Sequence, residues 1–248
     1  MVTVLYLKGS SEMITVYGLC YRILDYAQKT VDRLRETASE DFNFVCIESK
    51  SCNSEKFLPW ALQELKNKKI QRFLACTTNC RLYGFRYAIE NFPPDDSEDF
   101  FVMTELDVLV PKNVDWIKEI RNKMQNNVIS GFTLSNENYV KPNAGWDEKS
   151  NIKNKQFGVW LMGIKKDIFL KGLNTLNGEL TDVKIVSFMS KNGEKDIIDQ
   201  KLYHLGWDSW KDDPDYWDYK LKTMDRWQTK KCKSEESIIT EFKNYENI

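Results

Sequence analysis

Short apolar runs separated by amphipathic stretches organise the first 110 residues. Val2-Thr3-Val4-Leu5-Tyr6-Leu7 reads as a strand ending at Gly9-Ser10-Ser11, and Ile23, Tyr26, Ala27, Val31 and Leu34 then recur at helical spacing. Phe42 to Ile47 is a second strand, with Glu48-Ser49-Lys50-Ser51 as the loop behind it. Phe57 to Leu65 reads as a helix with Pro59 in its first turn, where proline costs no hydrogen bond. Ile70 to Ala75 is a third strand, Arg81 to Phe92 a helix stopped by Pro93-Pro94, and Phe100 onward a fourth strand. Strands alternating with helices in this way predict βαβ units and a mostly parallel sheet flanked by helices. Ligands of such sheets sit beyond the carboxyl ends of the strands.

The second half is less regular. Val128 to Leu134 and Gly158 to Ile164 read as strands, separated by a long polar loop. Leu180 to Met189 reads as a helix and Asp196 to Leu205 as a strand, and the tail from Trp207 is rich in aromatics and charges before a polar helix over Glu235 to Tyr245. No repeat and no linker rich in Gly, Ser or Pro divides the chain, so the α/β architecture is expected as a single domain.

Composition narrows the function classes. The 248 residues are 42% hydrophobic and 13% aromatic, enough for a sizeable core. Lys+Arg number 36 against Asp+Glu 37, a balance that argues against nucleic acid as the main partner. No apolar run approaches the roughly 20 residues of a membrane span. The start of the chain lacks the pattern of a signal peptide. Six scattered cysteines, at 20, 46, 52, 76, 80 and 232, form no paired zinc motif and read as reduced thiols, so a cytoplasmic location is expected.

The sharpest chemistry lies in DFFVMTELDVLVP, residues 99 to 111. Glu105 and Asp107 end a strongly apolar strand, and residues two apart on a strand share a face. Two such carboxylates side by side are costly unless a cation compensates, and hard oxygen ligands suit Mg²⁺ or Mn²⁺. As bare residues they read equally as two solvated acids at a strand end. His204, the only histidine, stands at the end of another candidate strand in Tyr203-His204-Leu205-Gly206-Trp207, and imidazole suits Mn²⁺ as a further ligand. Thr181 or Asp182 reads as a helix N-cap, and Asp182 alternatively as an acid with a catalytic role. Arg86 reads as a phosphate ligand or as a partner for a surface acid. The tryptophans of the tail offer stacking faces or simply packing.

The order of these features resembles the GT-A-fold nucleotide-sugar glycosyltransferases. TELDVLVP stands where that family has its DxD motif, here Glu-Leu-Asp, YHLGW where many members have a metal-binding histidine, and FGVWLMGIKKDIF, residues 157 to 169, where the family has the strand after its acceptor loop. The likeness covers residues 2 to 207 and implies a GT-A-like domain over 1–207. Residues 1–111 are then the nucleotide-binding half, 112–207 the acceptor half, and 208–248 an extension packed on the same domain. It implies a hexosyl- or pentosyltransferase that uses Mn²⁺ or Mg²⁺ to move a sugar from a UDP- or GDP-sugar donor to a glycan or other hydroxyl acceptor.

Carried over, Glu48 contacts the base or ribose, and Arg86 and Gly158 lie at the donor phosphate and sugar. Asp107 and His204 bind metal, and Glu105 contacts the metal, its water or the ribose. In a family-2-like inverting enzyme Asp182 is the general base, with Glu179 and Asp199 as alternatives. A retaining transferase, a DNA-modifying sugar transferase and a nucleotide-sugar-binding protein without turnover stay open. A nucleotidyltransferase fits less well, because LYLKGSSEM is a poor phosphate loop.

Overall fold

The computed structural model describes residues 13–21, 23–49, 54–76, 83–134, 157–178, 180–205 and 239–243. Its strands are β1 (Ile14–Tyr21), β2 (Phe42–Ser49), β3 (Arg72–Cys76), β4 (Phe100–Glu105), β5 (Val108–Leu109), β6 (Ile129–Leu134), β7 (Leu161–Lys165), β8 (Lys195–His204) and β9 (Ile239–Lys243). The helices are α1 (Leu24–Thr37), α2 (Ser54–Lys66), α3 (Tyr83–Asn91), α4 (Trp116–Met124), α5 (Lys166–Gly172) and α6 (Asp182–Met189). These nine strands join one sheet in the order β5-β8-β6-β7-β4-β1-β2-β3-β9.

β1 runs parallel to β2 and β4, β2 to β3, and β6 to β8. Because β7 is antiparallel to both β4 and β6, the strands β8, β6, β4, β1, β2 and β3 all point one way. The sheet is therefore mostly parallel, and the carboxyl ends of β2, β4 and β8 share one edge. Among the described residues no helix is long and apolar enough to cross a membrane.

Helices cover both faces, as buried parallel strands require. On one face Val31 and Leu34 of α1, Phe57 and Trp60 of α2, and Trp116 and Ile120 of α4 pack on Val16, Phe44 and Val102. Phe85 and Ile89 of α3, Phe169 of α5, and Ile185 and Met189 of α6 pack on Tyr17, Phe101 and Met103 on the other. Trp116, wholly buried, donates its indole N–H to the Leu34 carbonyl at 2.9 Å, which pins α4 to α1. Asp115 caps α4 by accepting from the Lys118 amide at 3.2 Å.

Several expectations are corrected. The first strand of the sheet is Ile14–Tyr21, whereas residues 2–7 lie outside the described residues. Seated between β2 and β4, this stretch has its backbone groups paired on both sides, which overrides the weak strand signal of Gly18. Helix α2 begins at Ser54, so Pro59 falls inside it and forgoes one backbone hydrogen bond. Within the helix expected over Glu235 to Tyr245, the described residues Ile239–Lys243 form strand β9, antiparallel to β3. Ile239 to Lys243 close the side of β3 that β2 leaves open, and an open edge favours pairing over a short polar helix. Helices α4 and α5 and the two-residue β5 add to the expected elements. The aromatic tail from Trp207 to Trp227 lies outside the described residues.

Candidate metal centre at the carboxyl edge

Strand β4 delivers Glu105 to the carboxyl edge and the chain turns there. Three contacts fix the turn. The Thr104 hydroxyl donates to the Trp160 carbonyl at 2.5 Å, the Glu105 amide to the Val159 carbonyl at 2.9 Å, and the Leu106 amide to the Leu19 carbonyl at 2.8 Å. Leu106 is 2% exposed and points into the core, so the acids on either side of it face away from the core.

The room for Leu106 comes from Gly18 on β1. A Cβ at that position would lie 2.5 Å from Phe44 Cζ and 2.8 Å from Leu106 Cδ2. Gly18→Ala is therefore expected to overpack the slot, destabilising the fold by about 1–3 kcal/mol. A thermal melt should fall by roughly 2–4 °C for each kcal/mol, with loss of metal affinity as Leu106 shifts the acids. An unchanged midpoint would show that the ring of Phe44 gives way freely.

Asp107 is then gripped from the far end of the chain. The β5–β8 pairing sets Val108 opposite His204 and Leu109 opposite Tyr203, and the Leu205 amide donates to the Asp107 carbonyl at 2.7 Å. His204, 2% exposed, lies with Nε2 3.5 Å from Asp107 Oδ2. One ligand atom each from Glu105, Asp107 and His204 lies within 4.8 Å of the others. Asp107 Oδ1 is buried and has no hydrogen-bond partner among the described residues. A buried charged acceptor without a partner costs several kcal/mol. Two carboxylates and an imidazole grouped this closely fit a divalent cation of the Mn²⁺ or Mg²⁺ type.

The other candidate residues occupy different places. Glu48, 1% exposed, is the penultimate residue of β2, two strands from β4 across β1 and about 10 Å away at the usual strand spacing. It sits beside Cys20, whose thiol is pushed well up, first by burial, then by Cys46 and by the Glu48 charge. Cys20, Cys46 and Cys76 are buried free thiols. Gly158 adjoins Val159, whose carbonyl holds Glu105, and a Cβ there would meet the Trp160 indole at 2.8 Å. Arg86 donates to Glu90 at 2.8 Å and to the Leu176 carbonyl at 2.5 Å. Of its two expected roles, pairing with a nearby acid has its partner in place.

Asp182 is the first residue of α6, on the face of the sheet that Phe101 and Met103 of β4 line. The helix cap is Thr181, whose hydroxyl accepts from the Lys184 amide at 3.3 Å, so capping does not account for Asp182. Its carboxyl accepts from the Val183 amide at 2.8 Å, yet burial outweighs that bond and raises its pKa. Asp199 is exposed near Lys123, and Glu179 lies outside the described residues. Sequence reasoning missed the supporting residues Gly18, Thr104, Leu106 and Trp160. The one available signal was an apolar residue between two acids, which marks a turn whose centre is buried.

No family model matches the sequence, and no curated protein matches it. Solved structures do. A mannosyltransferase of Pyrobaculum calidifontis, PcManGT, in complex with GDP-Man and Mn²⁺, matches with a TM-score of 0.56 at 12% identity, over 77% of this chain and 56% of that one. TarS of S. aureus matches with a TM-score of 0.53 at 10% identity, over 77% of this chain and 36% of that one. The chain thus spans little more than half of the first and about a third of the second. At such identities the likeness is one of fold, and the chain has the GT-A fold of nucleotide-sugar glycosyltransferases.

Proposed function

We propose that the protein is a metal-dependent glycosyltransferase that moves a sugar from a UDP- or GDP-sugar to a hydroxyl of a glycan or other acceptor, with inversion. The observation that carries this reading is the grouping of one ligand atom each from Glu105, Asp107 and His204 within 4.8 Å at the carboxyl edge of a GT-A sheet, with Asp107 Oδ1 buried and without a hydrogen-bond partner among the described residues. Mannosyltransferase PcManGT, which shares the fold, was solved with a GDP-sugar and Mn²⁺.

Asp107 and His204 would hold the cation, with Glu105 as a third ligand or as a contact to its water or to the ribose. The cation, when bound, supplies Lewis-acid stabilisation of a diphosphate leaving group. Glu48, about 10 Å along the same edge, would accept hydrogen bonds from the base or ribose. Gly158, next to the Val159 whose carbonyl holds Glu105, would lie beside the donor sugar. Asp182 would take the proton of the acceptor hydroxyl, the role a general base fills in an inverting transfer. Its raised pKa suits this work, because burial makes the carboxylate a better proton acceptor.

The test is a melt of the purified protein with UDP-, GDP-, CMP- and dTDP-sugars, each with Mn²⁺, with Mg²⁺ and with chelator. A ligand at about 100 times its Kd adds roughly 2.7 kcal/mol. For a chain of this size the midpoint should rise by about 5–10 °C. The reading expects that rise for a UDP- or GDP-sugar with metal, and its loss in chelator. No rise with any nucleotide and any metal overturns it.

A further inference from the structure

The end of the sheet opposite the carboxylates also holds a site. A cavity of about 320 Å³ opens where β1, β2 and β3 begin, lined by Thr15, Asn43, Val45, Phe92, Pro93 and Asp95, with Gln71 and Arg72 closing one side. Its volume is within the range of small-molecule pockets, about 300–1,000 Å³. Asn43 and Glu48 are five residues apart on β2, about 16 Å along the strand, so the cavity is distinct from the carboxylate–histidine group.

The chemistry of its wall restricts the ligand. Gln71 is committed to the fold: its Oε1 accepts from the Phe44 amide at 2.6 Å and its Nε2 donates to the Lys68 carbonyl at 2.9 Å. Thr15 accepts the Asp95 amide at 3.2 Å, and Asp95 Oδ1 accepts the Ser97 amide at 2.9 Å. The Asp95 carboxylate is also held by the Ser97 side chain and faces the cavity with its remaining lone pairs, while the Asn43 amide group and the Thr15 hydroxyl proton stay uncommitted among the described residues. The Arg72 guanidinium lies 4.4 Å over the Phe92 ring, so the aromatic wall already holds a cation and disfavours a cationic ligand. The Asp95 carboxylate and the Arg72 guanidinium, one charge of each sign in the wall, leave no net charge to favour an anionic one. What remains is a neutral molecule with several hydroxyls, donating to Asp95, exchanging hydrogen bonds with Asn43, and laying a C–H face on Val45 and Pro93.

We propose that this cavity is a saccharide-binding site for a neutral mono- or disaccharide. It needs neither metal nor nucleotide. It adds to the transferase reading a second point at which a glycan is held, but stands or falls independently of it.

The test is saturation-transfer difference NMR on the full chain in EDTA, with maltose, cellobiose, lactose, mannobiose and N,N′-diacetylchitobiose as probes. At least one probe is expected to give a signal that falls tenfold or more in Asn43→Ala, and again in Asp95→Asn as a second variant. The signal should persist unchanged in Asp107→Asn. No signal from any probe, a signal that survives both cavity variants, or one lost in Asp107→Asn overturns the proposal. The last outcome would assign the saccharide to the carboxylate edge.

Discussion

Asp107→Asn is expected to abolish metal-dependent turnover while leaving the fold intact. Asparagine keeps the shape of the side chain and the backbone grip of Leu205 on residue 107, but it removes the anionic ligand that a hard cation prefers. Lewis-acid stabilisation of a leaving group is worth several kcal/mol, and each 1.36 kcal/mol is about tenfold, so kcat/KM for the sugar donor should fall about 100-fold or more. The apo protein should melt within about 1 kcal/mol of the parent or above it, since a buried charged acceptor without a partner opposes folding. Donor hydrolysis assays with Mn²⁺ and with chelator, beside melts of both proteins, separate the two effects. Turnover and the metal-dependent rise in midpoint both retained in Asp107→Asn would move the chemistry away from this group.

The two halves of this centre differ in how far the sequence reveals them. Glu105 and Asp107 are legible because four buried strand residues, Phe100 to Met103, lead straight into the acids, and a parallel sheet presents its ligands at such ends. His204 is legible as the end of an element and nothing more. The contact between Asp107 and His204 depends on β5, a strand of two residues that is too short to leave a periodic trace. It also depends on β8 returning parallel to β6 from the other half of the chain.

The first strand escapes a reading of the pattern for a packing reason. Gly18 weakens the strand signal of Ile14 to Tyr21, yet glycine is needed there so that Leu106 can be seated. β9 escapes it because five residues, ITEFK, are compatible with either period, and only the unpaired side of β3 decides between them. The βαβ order of the first half is robust to both, because α1 to α3 and their intervening strands each carry a complete apolar face.

Asp182→Asn is expected to lower kcat by about 100- to 10,000-fold, the usual contribution of a general base, with the donor-dependent rise in midpoint unchanged. Stability should move the other way. Burial raises the carboxyl pKa in the folded protein above its ordinary value of 3.8, so the ionised form costs stability at neutral pH. That cost is fully present above the folded pKa and fades as pH falls toward the unfolded value. The amide of the variant carries no such charge, so Asp182→Asn should melt higher than the parent at about pH 7.5, with the gain shrinking as the melts are repeated down to about pH 4. A surface acid of no function would give neither a pH-dependent gain nor a loss of turnover. Gain without loss would mark Asp182 as a buried structural acid. The same assays on Asp199→Asn and Glu179→Gln would then separate another base from a retaining transfer, which needs none.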